Sequence, residues 1–257
     1  VNSSAPPPPL CIADDATFWP WLRWPEFSRW PDPAGTTIIL PLAGMADWGL
    51  GHPLDAEEIV LLHVLRAASR QKPDGLRILV APPLRFVLGP ATGCAFAVEP
   101  PVAHALVAEV AASIAASGFR RVVFYNSSPW NEELIGAAAR DLRIAHRLQV
   151  FRISLSGLGL DFHPVRSSTR RKVQTLITSL LDRAPEPPPA GAPAAGVRGW
   201  GDETVHPLTE PALPLEAARS EGAVILAAAA QKLVSLLGEI SARPPLAHDG
   251  VIPTARP

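Results

Sequence analysis

Phe124-Tyr125-Asn126-Ser127-Ser128-Pro129-Trp130-Asn131 is the stretch on which the reading of this chain turns. It continues Gly118-Phe119-Arg120-Arg121-Val122-Val123, which reads as a buried β-strand, and it runs into a helix opening near Glu132-Glu133. A strand of this kind delivers its C-terminal loop to the edge of an α/β sheet where ligands bind. The loop from Asn126 to Asn131 is therefore the first place to look for a site.

Outward from this unit the same alternation repeats. Thr36 to Leu42 reads as a first buried strand with high β-branched content, and Leu76 to Ala81 as a second, stopped by Pro82-Pro83. Arg121 to Tyr125 is the third and Leu148 to Ile153 the fourth. Ala56 to Ser69 has helical spacing, with Ile59, Leu62 and Leu65 available for one apolar face. Val102 to Ser117 is an alanine-rich helix with Gly118 placed as its C-cap. Glu132 to Leu142, Thr169 to Leu181 and Glu216 to Ile240 supply the remaining helices. Strands alternating with helices of this length predict a three-layer α/β/α domain with a mostly parallel central sheet.

Composition bounds the function. A chain of 257 residues, 47% hydrophobic and 18% charged, has ample material for one large core. Its formal net charge of −1 and the lack of a basic stripe give nucleic-acid binding no electrostatic support. Cys11 and Cys94 are too few for a disulfide framework and imply free thiols in a cytoplasmic protein. The apolar run from Val224 to Leu237 is interrupted by Gln231, Lys232 and Ser235 and is too short to span a bilayer, so no membrane association is expected. Prolines cluster at three places. Residues 1–15 read as a disordered Pro-rich leader without signal-peptide order, 184–198 as a Pro/Ala-rich insertion, and 244–257 as a mobile tail, leaving a single domain over 16–243.

Several short segments, in order, resemble the creatininase family of metal-dependent amidohydrolases. Trp24-Pro25-Glu26-Phe27 is similar to a W-P-E segment near the start of such proteins, and Ile38-Ile39-Leu40-Pro41 to their first strand. Val80-Ala81-Pro82-Pro83-Leu84 resembles an A-P-P-L exit, and Gly118-Phe119-Arg120-Arg121 a G-F-R-R turn. The Asn126–Asn131 loop resembles N-G-H-G-G-N, and Gly196-Val197-Arg198-Gly199-Trp200-Gly201-Asp202 a late G-V-x-G-D segment with one extra residue. The resemblance covers roughly residues 22 to 240 and implies the family's fold.

It also implies a dinuclear site, in which a Glu, an Asp and several His hold two divalent ions and a bridging water attacks a strained or cyclic amide. Here the ligands have diverged. Ala46 stands at the family's glutamate and Trp48 at its histidine, flanking Asp47. An alanine has no donor atom, and an indole nitrogen carries a hydrogen and cannot bind a cation. Ser128 replaces the loop histidine, Trp130 sits where some members carry an acidic ligand, and Ser168 sits at a further glutamate. Glu57 replaces the bridging aspartate, and His163 matches a retained histidine. Two ligands rarely hold a catalytic zinc. The expected ligand pocket is thus formed by Ala46, Asp47, Trp48, Ser128, Trp130 and Ser168, with His163 as the residue for proton transfer. The two large rings are expected to fill the volume vacated by ions and water.

Other chemistry has bland explanations beside it. His52 could join Glu57 and His163 around one Zn or Mn ion, or be a solvated loop histidine by a helix start that Asp55 caps. Cys94 reads as a small buried thiol, and Ser127-Ser128 lacks the glycines of a nucleophile elbow. Trp19, Trp21, Trp24 and Trp30 pin the N-terminal segment to the domain or to a neighbouring subunit. The function expected is a non-catalytic subunit or small-molecule-binding protein that carries no cofactor. It would form a homo-oligomer or pair with a catalytic paralogue. The alternative is an amidohydrolase of cyclic amide or formamide-like C–N bonds with a rebuilt mononuclear site.

Overall fold

A computed structural model describes residues 17–88, 91–92, 94–95, 97–163, 167–187, 195–197, 204–205, 208 and 211–244. The main sheet holds β1 (Thr37–Ala43), β2 (Ile78–Val80), β3 (Leu84–Arg85), β4 (Arg121–Asn126) and β5 (Gln149–Ser154). Four run in the order β5-β4-β1-β2, and β3 extends the pairing of β1 at Leu42 and Ala43. Every pairing in this sheet is parallel.

Parallel strands need crossovers, and the helices that provide them cover both faces. The long helices are α2 (Ala56–Gln71), α3 (Pro100–Ala116), α4 (Glu132–His146), α5 (Ser167–Leu181) and α6 (Leu215–Ser241), and a short α1 (Trp24–Ser28) precedes them. Strand residues alternate between two cores. Ile38, Leu40, Val122, Phe124 and Val150 face α3 and α4, whereas Ile39, Val123, Tyr125 and Ile153 face α2, α5 and α6. Each large apolar side chain so buried contributes about 1.5–3 kcal/mol relative to exposure. The chain is an α/β protein with three layers, as its alternation predicts.

Four differences from the sequence reading have physical causes. The buried face of α2 centres on Val60, Leu61, Val64, Leu65 and Ala68, because the helix is covered by both β1 and α6; Ile59 is only half-buried. Asp55 occupies the N-cap position of α2, but its side chain makes no capping bond. α6 runs for 27 residues, long and apolar enough by length and composition to cross a membrane, contrary to the shorter run expected. In this fold it packs lengthwise on α2 and α5, and Gly222 permits the approach: a Cβ there would lie 2.3 Å from Ser179 Cβ. Part of the Pro/Ala-rich segment is ordered by pairing, since Ala195–Val197 joins Thr204–Val205 and Ala91–Thr92. The leader, most of that segment and the tail beyond Pro244 lie outside the described residues.

The N-terminal tryptophans divide. Trp19 packs on Phe119 at 5.5 Å, and the Trp30 Nε1–H donates to Thr36 Oγ1 at 2.9 Å, so these two tie the segment to the domain. Trp24 is 73% exposed, and the Trp21 side chain is outside the described residues. The same segment covers one sheet edge, where the Val80 N–H donates to Thr17 O at 2.7 Å.

Candidate functional site

β1 and β4 end side by side, with Leu42 paired to Asn126, so the loops that leave them share the C-terminal end of the sheet. The β4 loop is braced by its two asparagines. The Asn126 amide nitrogen donates to Ser128 O at 2.7 Å, and that of Asn131 to Phe86 O at 3.3 Å. This fixes Ser127 and Trp130 over the end of β1.

Glu57 lies in the first turn of α2, fully buried. Its Oε2 accepts from the Gly44 N–H at 2.9 Å and the Ser127 hydroxyl at 2.8 Å. Its Oε1 accepts from the Trp48 Nε1–H at 2.8 Å. Gly44 is required here because a Cβ would lie 2.6 Å from Glu57 Oε1. Burial pushes the Glu57 carboxyl above its ordinary range, and the three donors oppose that shift without reversing it. No neighbouring cation contributes.

Trp48 does two things at once. Its ring stacks on Trp130 with centroids 4.4 Å apart and meets Phe162 at 5.5 Å, while its nitrogen satisfies the buried carboxylate. Its backbone is held as well, since the Arg170 guanidinium donates to Trp48 O at 2.5 Å and the Gln174 amide to Leu50 O at 2.9 Å. The two tryptophans retain only 2% and 4% exposure, so these two rings pack as core rather than line an open pocket.

The other expected site residues are placed as follows. Ala46 is buried beside this cluster and Ser128 is fully buried, its Oγ without a partner among the described residues. Asp47 is exposed, and its Oδ1 accepts from the Gly49 N–H at 2.8 Å. His163 is half-buried and its backbone N–H donates to Asp161 Oδ1 at 2.8 Å. His52 sits against α5, its Nε2 3.1 Å from Thr178 Oγ1, and burial lowers its pKa. Ser168 falls in α5 with its side chain outside the described residues. Ser127, Gly44, Phe162 and Arg170 were not foreseen. Phe162 and Arg170 flank the segment that holds His163 and Ser168, which was the one signal available.

A dinuclear metal centre does not fit these side chains. At the positions where the sequence resemblance would place its donors stand a methyl group, an indole N–H and a buried hydroxyl, and one oxygen of Glu57 is engaged by that indole. Among the described residues no three His, Cys, Asp or Glu are grouped to hold an ion.

The family described as creatinine amidohydrolase has a model that matches residues 21–237. The chain belongs to the creatininase family. Solved structures agree on the fold. A putative creatinine amidohydrolase from Bacteroides fragilis NCTC 9343 superposes with a TM-score of 0.66 at 14% identity, over 91% of this chain and 100% of that one. A creatinine amidohydrolase (creatininase) gives 0.60 at 19% identity, over 89% and 99%. A mutant creatininase complexed with creatine gives 0.61 at 18%, over 88% and 99%. At these identities the likeness speaks for the fold alone. No curated protein sequence matches the chain. Within the creatininase fold, the tryptophan cluster stands at the sheet end where the sequence resemblance locates the family's metal loops.

Proposed function

We propose that this chain is a non-catalytic member of the creatininase family, serving as a subunit or small-molecule-binding protein. The observation that carries the reading is the Trp48 Nε1–H donating to Glu57 Oε1 at 2.8 Å while its ring stacks on Trp130. An amide is attacked only where a nucleophile is generated, and in this family that is the work of metal-bound water. The substituted donors, with a ring occupying their place, leave Glu57 as a buried structural acceptor. His163 then has no activated water to serve, and any role for it is contact with a ligand.

The competing reading, a mononuclear hydrolase using His52, Glu57 and His163, needs Glu57 to release Trp48 and His52 to leave Thr178. Creatinine hydrolysis assayed with added zinc and with added manganese separates the two. The non-catalytic reading predicts no turnover above buffer. Turnover that disappears in Glu57→Gln would establish the hydrolase. Assembly is part of the proposal, with self-association or pairing with a catalytic paralogue as its form. Exposed Trp24 supports this, as tryptophan is enriched where binding energy concentrates.

A further inference from the structure

The two edges of the main sheet are treated differently. At β2 the edge is covered by Thr17 and Phe18. At β5 a cleft of about 550 Å³ opens along the strand. Its walls come from the two helix layers: Glu132, Ile135 and Arg143 on α4, and Leu236, Glu239 and Ile240 on α6. Its floor includes consecutive residues of β5 from Phe151 to Ser154, whose side chains point to opposite faces of the sheet. A cleft lined by both sets straddles the strand's edge.

The register shows which backbone groups face it. The Gln149 N–H donates to Arg120 O at 2.9 Å, and Gln149 pairs with Arg121, so residues 149, 151 and 153 turn their peptide groups toward β4. Val150, Arg152 and Ser154 turn theirs outward. Val150 O is satisfied by the Arg143 guanidinium, which confirms the parity. Ser154 O lies at the N-cap of the short 3₁₀ turn Leu155–Leu158 and accepts its first bond, so among the described residues the outward groups left without such cover are the N–H and C=O of Arg152 and the N–H of Ser154. Nor does the exposed Arg152 guanidinium form a hydrogen bond or ion pair there. Asn126, only 1% exposed, also lines the cleft, with its Oδ1 unpartnered.

We propose that this cleft is a docking site for an extended segment of a partner polypeptide, added as a strand along β5, with acidic residues toward α4 and apolar residues toward α6. Backbone pairing would give affinity, and alternate side chains would give choice. The α4 wall carries Arg143 and Arg152 against Glu132, whose Oε1 already accepts from Ser156 at 2.9 Å. The α6 wall is apolar at Leu236 and Ile240, beside Ile153 of β5. A second copy pairing β5 with β5 would instead set Arg152 against Arg152, which like charge disfavours.

The test uses the full chain and two acetylated probe peptides of equal glutamate and valine content, one alternating and one with the glutamates in a block. Fluorescence polarisation should show saturable binding of the alternating peptide only. Amide hydrogen exchange should slow at Arg152 and Ser154 when it binds. Arg152→Glu, an exposed position, should weaken binding by about tenfold or more, and a peptide with lysine for glutamate should recover it. Absent binding, equal binding of both peptides, or indifference to Arg152→Glu would each overturn the proposal.

Discussion

Beyond β1 and β4 the end of the sheet is filled, whereas beside β5 it is open. In the filled region Trp48, Trp130 and Phe162 lie ring against ring over a carboxylate with three donors. In the open region charged side chains stand along a cleft beside β5. The contrast teaches that the changes in the first region belong together. Removing metal ligands alone would leave a buried carboxylate short of partners, at a cost of about 1–3 kcal/mol or more for the unsatisfied group. Trp48 supplies both ring volume and a donor to Glu57, so on the proposed reading loss of ligands and gain of packing would be one event.

The largest effect should come from emptying the filled region. Trp48→Ala removes a core ring and a donor to Glu57, and should cost about 3–5 kcal/mol in urea unfolding. A loss as small as that of a surface substitution would mean the ring is not core, and the contrast would fail. Ser127→Ala should cost less, about 1–3 kcal/mol, because Gly44 and Trp48 still serve the carboxylate.

A pH series sharpens the same point. The folded-state pKa of Glu57 is raised, so its contribution is fully present below the ordinary carboxylate range and lost as pH rises through the folded value. The stability difference between the native chain and Glu57→Gln should therefore shrink from acidic to neutral pH. A difference that grows would show that the donors outweigh burial. The smallest effect is expected in the open region, where Arg152→Ala should change stability by no more than about 0.5 kcal/mol. A larger loss would mean that the cleft is closed in solution.

Much of the fold was legible because buried parallel strands leave continuous apolar runs. Thr36 to Leu42 differs from β1 by one residue at each end, and Leu148 to Ile153 from β5 likewise. The two-residue pairings, such as Met45–Ala46 with Cys94–Ala95, carry no periodicity and could not be read. At the site, the family alignment brought Trp48, Trp130 and Glu57 together. It could not supply the Gly44 N–H, since a backbone donor leaves no trace in side-chain identity, or Arg170, which acts through the carbonyl of Trp48. The cleft was not legible at all, because its walls come from α4, β5 and α6, far apart in sequence.

The central claim is that Trp48 and Glu57 form a structural pair that holds no metal ion. Its most direct measurement is metal content after dialysis of the full chain against zinc and, separately, manganese, with Glu57→Gln in parallel. The account predicts no stoichiometric ion in either protein and no difference between them. Two ions retained per chain, or one that Glu57→Gln releases, would contradict it.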